Sequence, residues 1–366
     1  MLWYHNWVKP ALYKWAGNPR QMGVLGVFML FFQILSGVFF TVAATLAYSG
    51  SPATVGTAVA TAVATPAVTE MAIVLNSGDG SISLIDKLTL RETKRMAVGK
   101  EPHHLMATPD DQFLIVANAV SNDLVFLNPK SGEISKRIEK ISDPYQIGFS
   151  PDKKWFVSLS FRLDRVDIYS GADFSLQKRI ELPRIPSHLA FSADSSLAFV
   201  TLQGSNEIAA IDLNTQAIVW KMPVGKQPAG IWAMPDDKHL IIGMTGADYA
   251  EVIDWRARKS VKKIPTGKGA HNFLAMGDGR HVFITNRVSD TISVIDQQTL
   301  TVVDTIKVPG GPDCMELSRD GKQLWVTARW ARKVAVVDMS TRKVIKEIPV
   351  GKSPHGIYFY THASRR

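Results

Sequence analysis

Histidines return at a fixed interval in this sequence. Prolines stand at 102, 144, 186, 228, 312 and 354, each 42 residues or twice 42 from the next, and Ala270 takes the missing place. The position that follows reads His103, Tyr145, Ser187, Ala229, His271, Asp313 and His355. One step further come His104, Gln146, His188, Gly230, Asn272, Cys314 and Gly356. Five of the nine histidines therefore share two adjacent places in one register. Neutral imidazole ligates copper, zinc, nickel or haem iron. Converging from different repeats, His103, His104, His188, His271 and His355 form a candidate transition-metal or haem site. Together with Tyr145, Asp313 and Cys314 they form a candidate ligand site. The plainer expectation is that they hydrogen-bond corner carbonyls and water at a narrow opening. No catalytic residue is assigned.

The elements that position these residues follow from the same period. After each corner comes an apolar strand, a turn such as Pro109-Asp110-Asp111, and a second strand such as Phe113 to Val116. A third strand, Thr291 to Asp296 in its clearest copy, and a fourth, Thr301 to Val308, return to the next corner. Four short strands per 42 residues make one blade of a β-propeller. Six full repeats run from Val98 to Pro349. A seventh is split, with one strand at His355 to Tyr360 and three at Met71 to Val98. Joining the two ends closes the ring and leaves no free sheet edge. The third position after the corner, Leu105, Ile147, Leu189, Ile231, Phe273, Met315 and Ile357, is wholly apolar and is expected in the core.

At these residues the chain resembles the YVTN family of β-propeller repeats, whose unit looks like Ile292 to Asp296, Val303 to Ile306, Gly310 and Pro312. The resemblance covers residues 71–362 and implies an all-β, seven-bladed propeller. It implies little about function, because such propellers serve binding, surface and enzyme-associated roles. Quinoprotein propellers are similar in outline, but their tryptophan docking motif does not recur here, so no quinone is expected. Copper-cluster and haem-bearing nitrogen-oxide reductases have related frameworks. The seven-histidine copper pattern is incomplete, and no haem-attachment motif is present.

Ahead of the propeller, no charge occurs from Met22 to Tyr48, a run long enough to cross hydrocarbon. Lys9, Lys14 and Arg20 precede it among Trp3, Tyr4, Trp7, Tyr13 and Trp15, and no charge follows until Glu70. The positive-inside rule then puts residues 1–21 in the cytoplasm, a transmembrane helix at 22–48, a linker at 49–70, and the propeller in the periplasm. Cleavage near Ala47 or Ala53 would instead release it. Residues 18–48, especially Gln33 to Phe40, also resemble the first transmembrane helix of cytochrome b. That implies a respiratory cytochrome complex as protein partner, without haem b, since the ligating helices are lacking.

Other residues carry less. The formal charge is +9, scattered rather than blocked, which does not indicate nucleic acid. The single cysteine excludes an intrachain disulfide and a cysteine-built zinc site. Asp86, Asp212, Asp254, Asp296 and Asp338 recur at strand ends, where a carboxylate caps the following turn. Arg329, Trp330, Arg332 and Lys333 read as a solvated basic loop. The function expected first is a membrane-anchored binding or scaffold module, and the second is a metal- or haem-dependent redox protein.

Overall fold

A computed structural model describes residues 70–365. The expected span at 22–48, most of the linker and the cytochrome b likeness lie outside them. No helix among the described residues is long and apolar enough to cross a membrane. The described chain forms seven four-stranded antiparallel sheets. Six are consecutive in sequence. The seventh joins the last strand, Pro354–Phe359, to the first three, Met71–Asn76, Ser81–Asp86 and Arg91–Ala97. Its register pairs Ala72 with Phe359 and Ile73 with Tyr358.

Burial across each blade follows from its layering. The innermost strands, such as Pro102–Ala107 and Pro144–Phe149, neighbour one another around the axis. The second and third strands lie between adjacent blades and are covered on both faces, so Leu114–Asn118 and Asp123–Leu127 are buried at every residue. That demands continuous apolar runs rather than alternation. The fourth strands face solvent, and Ile134–Glu139 is almost wholly exposed. Clusters such as Ile73, Leu75, Leu114, Val116 and Val125 weld one blade to the next.

Local chemistry sets the turns. Asp86 Oδ1 accepts from the N–H of Leu88 and Thr89 at 2.8 and 2.9 Å, and Asp212, Asp296 and Asp338 repeat the arrangement. The strand-end aspartates are turn caps. Each such hairpin ends in a left-handed residue at the same register, from Leu90 at φ 54° through Gly132 at 72° to Arg342 at 58°. A bulge follows in the pairing of third and fourth strands, as between Leu84 and Ile85.

Candidate functional site at the channel mouth

Every inner strand starts at its corner residue, proline in six blades and Ala270 in the other, on one face of the propeller, and the second strand returns to that face. A proline needs no ladder partner at a strand's first residue. The pairing then slips, between Pro102 and His104 and between Pro312 and Met315. Such a bulge re-aims a side chain. Threonines on the neighbouring strand pin the slip: Thr285 and Thr327 hydroxyls accept from the N–H of Asn272 and Cys314 at 3.1 and 2.9 Å.

The register residues converge as expected, but deeper than an open mouth implies. His103, His271 and His355 are 4, 2 and 4% exposed and Asp313 is fully buried. His188 is buried, while His104, Tyr145 and Cys314 are half-buried. The His103 ring stacks on Tyr145 with centroids 3.6 Å apart and lies 4.1 Å from His355, and Tyr145 stacks on Phe161 at 4.4 Å. Four rings thus form one continuous stack. Across the channel, His188 meets His271 edge-on at 4.9 Å.

Hydrogen bonds fix the tautomers. Nδ1–H of His103 donates to the Tyr145 carbonyl at 2.8 Å, and Nδ1–H of His355 to the His103 carbonyl at 2.5 Å. A neutral imidazole that donates from Nδ1 presents a lone pair at Nε2. Burial holds all five imidazoles below the ordinary histidine range, with His104 and His271 at about 4. They are neutral at physiological pH. The expected corner-carbonyl bonds are present for His103 and His355, whereas Nδ1 of His104 is buried without a partner.

Two groups decide the electrostatics, and the sequence reading missed their role. Arg287 Nη2 donates to Asp313 Oδ1 at 2.5 Å, and Arg329 Nη1 to Asp313 Oδ2 at 3.1 Å. Arg329 therefore does not belong to a solvated loop, as expected from its neighbours; it turns inward, while Trp330 is exposed and Lys333 pairs with Glu347. Burial alone would raise the Asp313 carboxyl, but Arg287, then His355 and His271, hold it well below the carboxylate range. The signal was available. Phe161, Arg287 and Arg329 share one place in the 42-residue register, directly after the second strand.

Asp313, Cys314 and His355 bring an oxygen, a sulfur and a nitrogen within 4.8 Å of one another. They fit a cation poorly. Both carboxylate oxygens already bind guanidinium, and two positive groups oppose a third. Burial, then Asp313, pushes the Cys314 thiol far above its ordinary range, and its sulfur accepts from Asn272 Nδ2 at 3.2 Å. A metal needs the thiolate.

Comparison with known proteins agrees with the architecture. The model of the YNCE-like beta-propeller family matches residues 34–365. The chain belongs to that family. The repeat read as YVTN-type is thus supported as a propeller repeat. Antigen Lp49 of Leptospira interrogans is 23% identical over 186 residues, which is 44% of this chain and 40% of the relative's own length. Among solved structures, a functionally unknown protein of Desulfotomaculum acetoxidans superposes with TM-score 0.70 at 16% identity, covering 81% of this chain and all of that one. Dihydro-heme d1 dehydrogenase NirN, in complex with DHE, superposes with TM-score 0.60 at 16% identity, over 80% of this chain and 75% of that one. Hydrazine synthase of Kuenenia stuttgartiensis gives 0.59 at 18%, over 69% and 87%. These likenesses share a fold.

Proposed function

We propose that this protein is a membrane-tethered, periplasmic binding module whose channel mouth holds a planar ligand bearing carboxylates. The observation that carries the reading is the sharing of the single Asp313 carboxylate by Arg287 and Arg329. Two guanidiniums against one buried carboxylate leave donors and positive charge at the mouth, and guanidinium matches carboxylate in a fork geometry. Phe161, Tyr145, His103 and His355 stack on one another, and a flat ring would extend that column at its half-buried Phe161 end. Concave sites with an apolar wall and a few convergent polar groups are the usual form of ligand sites. Stacking and ion pairing among the described mouth residues support a binding role.

A haem-dependent redox role is the second reading. It is favoured by the bare Nε2 of His355, which is buried without a partner. The NirN structure with DHE, a complex named for dihydro-heme d1 chemistry, lends it support as a related fold. One titration separates the readings. Full-length protein is mixed with metal-free protoporphyrin and with haemin, and tyrosine and tryptophan fluorescence is followed. Comparable affinity for both, lost in Arg329→Ala, is expected. Binding of haemin alone, with an absorption spectrum of histidine-ligated iron, favours the redox reading. Binding of neither overturns the site.

A further inference from the structure

A third chemical ring surrounds the mouth. Two residues before each corner proline stand Lys100, Arg184, Lys226 and Lys352, with Lys268 at the same distance from Ala270. The remaining two places hold Ser142 and Gly310, so the position carries five cations and no acid. All five are exposed. Among the described residues, only Lys352 of the five meets a carboxylate, Asp79 at 3.9 Å. Acids on the adjoining loops are more withdrawn. Asp164 and Asp290 are half-buried and accept from the backbone N–H of Ile185 and of Gly310 and Gly311. Glu101 and Asp143 both hold Arg162, while Asp248 and the Asp79 that meets Lys352 are the exposed exceptions.

We infer that this rim docks an acidic segment of a partner protein, which runs from the rim cations down to Arg287 and Arg329. The inference rests on the reading of the mouth as a binding site. Charge complementarity names the class, and relief selects within it. Exposure falls from the lysines to Arg287 at 21%, Arg329 at 25% and Asp313 at 0%. A flat bilayer meets the rim and misses the floor. An extended chain, advancing about 3.3 Å per residue, can place carboxylates on both. The chain also enters its first strand at Met71 on the opposite face, where Glu70 contacts Lys87 and Thr361. Trp330 and Val288, 60 and 47% exposed on the second-to-third strand loops, add the apolar anchors that interfaces use.

The test measures anisotropy of a fluorescein-labelled deca-glutamate peptide against the full-length chain in detergent. Binding is expected at low ionic strength and should vanish near 1 M salt, where the screening length is about 3 Å. Lys226→Glu with Lys268→Glu should weaken it about tenfold or more, as loss of rim charge slows association. Lys343→Glu, at the opposite face where the outer strand Lys343–Pro349 begins, should leave it unchanged. If the first pair fails to fold, Lys100→Glu with Arg184→Glu carries the same expectation. Equal loss in Lys343→Glu overturns the inference, as does tighter binding of single-stranded DNA or of phosphatidylglycerol vesicles. Protoporphyrin binding without peptide binding overturns the rim and leaves the mouth site standing.

Discussion

Nε2 of His355 stops 3.7 Å from Oδ2 of Asp313, and neither atom carries a hydrogen to share. The proton of His355 sits on Nδ1, spent on the His103 carbonyl. A second proton would find a carboxylate, yet burial opposes it more strongly and Arg329 and Arg287 add to the opposition. The imidazoles around the mouth are therefore held neutral in the folded chain, where an unfolded histidine titrates near 6.5.

The sign of the pH dependence follows. Between pH 6.5 and about 4 the unfolded chain takes up protons on His104 and His271 and the folded chain does not, so stability falls as pH falls through that window. Glu316 acts in the opposite sense. Burial pushes its carboxyl up to about 7, against 4.5 unfolded, so from pH 7 to 4.5 it favours the folded state as pH falls. Melting temperatures of Glu316→Gln should drop more steeply on acidification than those of the unmodified protein, and His104→Gln should flatten the drop. A pH-independent melting temperature for Glu316→Gln between 6.5 and 4.5 would refute the neutral-imidazole assignment.

Replacing Asp313 by Asn should be severe. It keeps the shape but strips both guanidiniums of their counter-charge. Breaking a buried pair costs about 3–5 kcal/mol, and the partial exposure of Arg287 and Arg329, 21 and 25%, places this case near the lower end. Urea unfolding is the measurement. A loss below about 1 kcal/mol, the range of exposed pairs, would mean that water already screens the trio.

The proline register made the architecture legible, because a corner that cannot donate a hydrogen bond and a strand length fixed by blade width leave little freedom in spacing. Even the split blade could be read, since Asn76 and Asn286 open equivalent third-strand hairpins. The site was legible only by half. His103, Tyr145, Asp313 and His355 follow the corner directly, so aligning on proline found them. Arg287 and Phe161 reach the mouth from the end of the second strand, where composition varies from Ser77 through Thr245 to Arg329 and no invariant residue marks the place. Depth was not legible either. A strand position tells which face a side chain takes and says nothing of how tightly seven strands crowd it; a Cβ on Gly230 would meet the His271 carbonyl oxygen at 1.8 Å.

Ring closure rests on a tie that can be cut singly. Asn76 Oδ1 accepts from the N–H of Gly351, 275 residues away, at 2.9 Å, while its Nδ2 donates to Ser83 and Ser81 at 2.9 and 3.2 Å. Asn286 makes the matching donations to Ser293 and Thr291 at 2.9 and 3.1 Å, but its Oδ1 is buried without a partner. Both side chains are fully buried. The pair is therefore an internal control, in which Asn→Ala removes the same donations and only Asn76 also strands a backbone N–H at the seam. A buried donor left unmade costs about 1–3 kcal/mol. Asn76→Ala should accordingly destabilise by about 1 kcal/mol or more beyond Asn286→Ala, and the excess should appear as faster hydrogen exchange in Met71–Asn76 and Pro354–Phe359. Equal losses in the two variants, with exchange unchanged at the seam, would mean that strand pairing from Ala72 to Val74 closes the ring without help from this side chain.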